Sequence, residues 1–154
     1  MLYVGVIGPG AGAEASEELL EVAEEVGRGL AAAGAVVLCG GLGGVMEAAS
    51  RGAQEAGGTC VGLLPGEHRR EGNPFLSIAL PTGLGEARNA IIVTASDVLI
   101  AIGKGYGTLS EIALALRAHK RVIALQTWAI GEPDPRLVPV GSATEAVRRA
   151  LERV

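Results

Sequence analysis

The sequence predicts a doubly wound, mostly parallel α/β sheet flanked by helices, Rossmann-like in build. Three observations carry that expectation. Short, continuous apolar runs alternate with helical stretches of about ten or more residues, the pattern of βαβ units. Glycine clusters fall where the apolar runs end and the helices begin, the places where such sheets bind ligands. Hydrophobic residues make up 49% of the 154 and charged residues 19%, enough to build one core and too apolar for a disordered segment.

The elements follow in order. Tyr3 to Ile7 reads as a strand rather than a leader, because no basic region precedes it. The turn Gly8-Pro9-Gly10-Ala11-Gly12 follows. Ser16 caps a helix running to about Ala33, with Glu17 and Glu18 in the first turn and Gly34 as the stop. Ala35 to Cys39 is a buried strand, and the next helix runs from about Val45 to Ala56. Thr59 to Leu64 and Ser77 to Leu80 are strands, separated by the polar loop Pro65 to Pro74. That loop holds Glu67, His68, Arg69 and Arg70 and reads as a lid or as solvated surface. Glu86 to Ala95 suits a helix, Val98 to Ile102 a strand, Thr108 to Ala118 a helix and Val122 to Leu125 the last strand. A proline-rich stretch then leads to a final helix, where Ser142 and Glu145 have capping-box spacing.

Composition removes several classes of function. The formal charge of −4 argues against a nucleic-acid binder that relies on a basic surface. No apolar run reaches the roughly 18 residues of a membrane span. Cys39 and Cys60 make no disulfide framework, so a cytoplasmic setting is expected. With only two histidines and those two cysteines, no metal site is expected either. Aromatic residues are 3% of the chain, so the core is expected to consist of Ala, Val, Leu and Ile.

Three glycine loops are the candidates for chemistry. In the first, Gly8 to Gly12, the segment Gly10-x-Gly12-x-x-Ala15 fits a loose dinucleotide pattern. The second strand ends Val37-Leu38-Cys39-Gly40, without the carboxylate that pattern needs for a ribose, so a tight turn is expected instead. The second loop is Gly40-Gly41-Leu42-Gly43-Gly44. It opens a helix, where bare amides suit a phosphate and glycine lets it approach. The alternative is a flexible turn needing positive φ, for which four glycines in five residues are excessive, so phosphate binding is expected. The third, Gly103-Lys104-Gly105-Tyr106-Gly107-Thr108, is no Walker A motif, because no Ser or Thr follows Gly-Lys. Its amides and the Thr108 hydroxyl suit a phosphate; Lys104 adds a point charge or is solvated. Thr108 and Glu111 also have capping-box spacing, in which Glu111 would only reach back to an amide.

Three segments together resemble the LOG ("lonely guy", formerly lysine-decarboxylase-like) proteins and the related molybdenum-cofactor carrier proteins. Gly40-Gly41-Leu42-Gly43-Gly44-Val45-Met46 is similar to the family's G-G-G-x-x-G-L-M. Arg88 stands in the place of the family's R-K, and Gly105-Tyr106-Gly107-Thr108-Leu109-Ser110-Glu111 matches most of P-G-G-x-G-T-x-x-E. The likeness runs from the first strand to about Leu125. For a LOG enzyme it implies hydrolysis of the N-glycosidic bond of nucleoside 5′-monophosphates, with Arg88 and Glu111 as the catalytic pair and the glycine loops holding the phosphate.

The departures point elsewhere. Gly103-Lys104 replaces Pro-Gly, Asn89 replaces the lysine after the arginine, and Gly85-Glu86-Ala87 stands where the enzymes have Met-His. The stretches Gly83 to Asn89 and Gly107 to Leu116 look closer to the carrier branch, which binds molybdenum cofactor without converting it. A weaker resemblance, to the Rossmann-like domain of DprA DNA-processing proteins, conflicts with the acidic balance. The expected reading is therefore one domain over residues 1–154 that binds a phosphorylated nucleotide-like or pterin ligand, with molybdenum cofactor as the implied ligand. No cofactor is expected for chemistry. The implied ligand residues are Gly8, Gly40, Gly41, Gly43, Gly44, Met46, Arg88, Asn89, Lys104, Gly105, Tyr106, Gly107, Thr108 and Glu111. Leu42, Met46 and Tyr106 either wall a planar ring or belong to the core. The resemblance also implies a homo-oligomer, dimer or tetramer, with Ala/Leu-rich helices supplying apolar surface.

Overall fold

Seven parallel strands form one sheet, in a computed structural model that describes residues 1–152. The strands are β1 (Tyr3–Ile7), β2 (Val36–Cys39), β3 (Cys60–Leu64), β4 (Ile78–Pro81), β5 (Val98–Ile102), β6 (Val122–Leu125) and β7 (Leu137–Val140). Their spatial order is β4-β3-β2-β1-β5-β6-β7. The chain therefore winds outward from β1 on one side, returns, and winds outward from β5 on the other. The Rossmann-like expectation holds, and β1 and β5 flank the point where the winding reverses.

The helices are α1 (Glu17–Ala32), α2 (Val45–Glu55), α3 (Arg88–Ala95), α4 (Tyr106–Arg117) and α5 (Ala143–Leu151). Strand alternation divides the core between two faces. On β5, Val98, Ile100 and Ile102 pack with α1, α2 and α5, while Leu99 and Ala101 pack with α3 and α4. Among the described residues the fully buried apolar side chains are Ala, Val, Leu, Ile and the two cysteines, so the aromatic-poor core is as expected. Cys39 and Cys60 are free and buried.

Local signals explain most boundaries. Ser16 caps α1, its hydroxyl accepting from the Leu19 amide at 3.2 Å. Ser142 caps α5 in the same way, while Glu145 reaches back to the amide of Gly141. At the far end of α3, Lys120 Nζ donates to the carbonyls of Val93, Thr94 and Ser96, holding the helix terminus with a cation.

One expectation needs correction. A seventh strand lies in the proline-rich stretch: Leu137–Val140 pairs with β6 and includes Pro139. Proline inside a short apolar run argues against a strand, but β7 is an edge, where a missing N–H costs no ladder bond. Helices cover both sheet faces, as expected, but not the β4 edge. The connection from β3 to β4 contains only a short 3₁₀ turn, Arg69–Glu71, so no helix lies over that edge. Tyr3, Ile78 and Leu80 stay exposed there, beside Leu38, Val61 and Leu63.

α1 and α2 cross at glycines. A Cβ on Gly27 would strike the Ala49 carbonyl, and one on Gly52 would strike the Glu24 carbonyl and crowd the Arg28 amide. Alanine is the better helix former by about 1 kcal/mol, yet Gly52→Ala forces the two backbones apart. We expect a net destabilisation of about 2 kcal/mol in urea unfolding; a variant as stable as the parent would show that the helices slide apart freely.

Candidate functional site

At the carboxyl ends of β1 and β5 lies a crevice of about 290 Å³. It is lined by the loops after β1, β2 and β5, the start of α3 and the first turns of α4. Of the residues singled out in sequence, Gly8, Gly40, Met46, Arg88, Asn89, Gly105, Tyr106, Gly107, Thr108 and Glu111 line it, as does Leu42.

Four do not. Gly41 adopts a φ of +76° and turns towards Leu64 and Gly62 of β3. Gly43 faces Ala11, and Gly44, at φ +65°, packs on the backbone of Pro9 and Gly10. The first amide of α2, that of Val45, is taken by the Pro9 carbonyl at 3.0 Å. Most of this loop's glycine thus serves backbone packing between two loops. Lys104 is exposed and does not line the crevice.

Arg88 stands at the start of α3, after the 3₁₀ turn Gly85–Ala87, and is 9% exposed. Its Nη1 donates to the Gly40 carbonyl at 2.5 Å and to the Leu63 carbonyl at 2.9 Å. A Cβ on Gly40 would collide with this guanidinium and with Met46 Sδ, so the bare glycine admits the arginine. Arg88 Nε is buried with no hydrogen-bond partner among the described residues. Burial pulls its pKa below the usual guanidinium value, against the attraction of Glu111.

The capping-box alternative for Thr108 and Glu111 fails. α4 starts at Tyr106, with Gly105 in the cap position, because extended Gly105 lets the helix begin before the threonine. Thr108 is therefore inside the first turn, 2% exposed, and its hydroxyl has no partner among the described residues. Glu111 lies one turn later on the same face. It is 7% exposed and lines the crevice without an ion pair to Arg88. Burial raises its carboxyl from an ordinary value near 4.5 to about 8, and the Arg88 guanidinium opposes this only in part.

Sequence reasoning missed two carboxylates of the lining, Glu14 and Glu86. Both sit in loops beside recognised glycines, and counting acids next to each loop would have found them. It also missed Trp128, whose Nε1 donates to the Gly105 carbonyl at 2.9 Å. A lone tryptophan just past the carboxyl end of a central strand was the available signal. Among the described residues no group of acids, histidines and cysteines is placed to hold a metal ion. No helix there is long and apolar enough to cross a membrane.

The Glu111 shift has a defined effect on stability. The folded chain holds a proton that the unfolded chain releases near pH 4.5, so stability falls as pH rises from there through about 8. Glu111→Gln removes this loss. Relative to the parent, the variant should gain on the order of 3 kcal/mol between pH 5 and pH 9 by denaturant titration. Parallel pH curves for the two proteins would mean that Glu111 titrates normally.

Comparison with known proteins gives consistent relatives. The family model described as "SLOG cluster4 family" matches residues 1–148. The molybdenum cofactor carrier protein of Chlamydomonas reinhardtii superposes with a TM-score of 0.87 at 39% identity, covering 97% of this chain and 98% of that one. The molybdenum cofactor binding protein of Rippkaea orientalis gives 0.86 at 38% identity, covering 96% and 94%. An uncharacterised protein of Archaeoglobus fulgidus is 48% identical over 126 residues, 82% of this chain and 81% of its own. DNA processing protein A of Helicobacter pylori gives 0.70 at 20% identity, covering 97% and 80%, a likeness of fold alone.

Proposed function

The chain belongs to the SLOG cluster4 family, and from that membership and the crevice we propose that it binds a phosphorylated nucleotide-like or pterin compound as a carrier or sensor. Molybdenum cofactor is the first candidate, since the two similar structures are of proteins named for carrying or binding it. One observation carries the reading. Arg88 Nε and the Thr108 hydroxyl are buried without partners, and both residues line the same crevice. Buried polar groups are rarely left unpaired, so a polar ligand that accepts from both is the natural completion.

The second reading is hydrolysis of the N-glycosidic bond of nucleoside 5′-monophosphates, favoured by Arg88 and Glu111 lining one crevice. An anionic carboxylate would stabilise an oxocarbenium-like centre or activate water, and a protonated one would protonate the leaving base. With its carboxyl raised to about 8 by burial, Glu111 fits the general-acid role, so its protonation does not separate the two readings. Incubation with a nucleoside 5′-monophosphate panel, watching for free base, decides between them. Turnover lost in Glu111→Gln would establish the hydrolase.

Thr108→Val tests the binding reading directly. It keeps the shape and deletes an unpaired buried hydroxyl, so fold stability should hold or rise by about 1 kcal/mol. Calorimetric affinity for molybdenum cofactor, or for whichever nucleotide binds, should fall about tenfold. Unchanged affinity would remove Thr108 from the site.

The homo-oligomer is proposed on a different surface from the helices expected to supply it. The strip of Tyr3, Ile78 and Leu80 on the open sheet face supports a second copy of this chain as its cover. Sedimentation should then give a dimer or tetramer for the parent and a monomer for Leu80→Arg. A monomeric parent at micromolar concentration would overturn this.

A further inference from the structure

Tyr106 is 81% exposed, although it begins α4 and lines the crevice. An aromatic ring left that open gains little from burial, yet this one is held in place. It stacks on Trp128, with ring centroids 5.7 Å apart and planes 28° from parallel. Trp128 is partly buried against the α3/α4 side of the core. Its Nε1 donates to the Gly105 carbonyl at 2.9 Å, and the neighbouring Thr127 hydroxyl donates to the Gly103 carbonyl at 2.6 Å. Gly103 in turn donates its amide to the Leu125 carbonyl at 3.3 Å. The segment after β6 therefore straps the loop after β5 at two carbonyls and presents the Tyr106 ring with one face packed and the other open.

We propose that the open face of Tyr106 is the platform on which the planar heterocycle of the ligand stacks, and that Trp128 is the residue that positions it. This rests on the reading of the crevice as a site for a phosphorylated ring compound and adds where the ring lies. The phosphate end meets Thr108 and Arg88 inside, and the purine or pterin stacks at the mouth. Because Tyr106 already stacks on Trp128, less side-chain freedom is lost when a ring settles on its other face. Stacking on an aromatic side chain tolerates different heterocycles, which suits a site whose hydrogen-bonding groups lie at the phosphate end.

The test separates ring from phosphate. Calorimetry compares GMP and a phosphorylated pterin with ribose 5-phosphate, which has no ring. Trp128, the chain's sole tryptophan, reports through its emission. The parent should bind a ring compound more tightly than ribose 5-phosphate, with a change in Trp128 emission only for the ring compound. Tyr106→Ala, at an exposed position that does not endanger folding, should lose about tenfold for the ring compound and nothing for ribose 5-phosphate. Tyr106→Phe should keep the parent's preference, and Trp128→Leu should reduce the preference for the ring compound. Equal losses for both ligands in Tyr106→Ala, or none, overturn the platform and leave the crevice reading standing. Failure of all three compounds to bind the parent overturns the crevice reading and the platform with it.

Discussion

A single nitrogen, Nη1 of Arg88, joins the parts on which the crevice depends. It donates to the carbonyl of Gly40, just past β2, and to that of Leu63 near the end of β3, while its own backbone starts α3. Two adjacent strands and a helix from the other half of the winding are thereby locked at their ligand-binding ends. The position is costly for a guanidinium, which is buried and only partly compensated. It is possible because Gly40 has no Cβ to occupy the same space. The same residue keeps its Nε buried without a hydrogen-bond partner among the described residues.

The glycines form a second layer of the same design. A chain with 24 of them invites a reading in which each loop cradles a phosphate. The geometry divides them by task. Gly27 and Gly52 let α1 and α2 cross closely, and Gly44 lets the loop after β2 rest on the loop after β1. Gly40 and Gly105 serve the crevice itself, one admitting Arg88 and the other starting α4 early enough to bring Thr108 inside. Glycine buys closeness here more often than it binds a ligand.

These two layers explain what was legible in the sequence. The sheet, its winding and most helix boundaries follow from periodicity and caps that act locally, such as Ser16 and Ser142. The likeness around Arg88 and Glu111 led to residues that do share one crevice. What stayed hidden depends on neighbours distant in the chain. The start of α4 is set by extended Gly105, held by Trp128 from another loop, and spacing alone left the capping box open. Lys104 sits within a glycine motif yet is exposed and does not line the crevice. β7 contains a proline that only an edge position tolerates, and edge position is a property of the whole sheet.

Charge completes the argument for what the crevice accepts. Its lining contains Glu14, Glu86 and Glu111 against one cation, Arg88, which is a poor balance for an anion if every carboxyl is ionised. Burial changes that balance. Burial raises Glu111, the deepest of the three acids, to about 8, which reduces its negative charge near neutral pH. Glu14 and Glu86 lie at the exposed margin, screened by water and farther from where a phosphate would meet Thr108 and Arg88. The crevice brings together Arg88, Thr108 and Glu111, with the exposed Tyr106 ring on its lining. That arrangement fits the proposed ligand, with a phosphate held by its oxygens and a ring by its face.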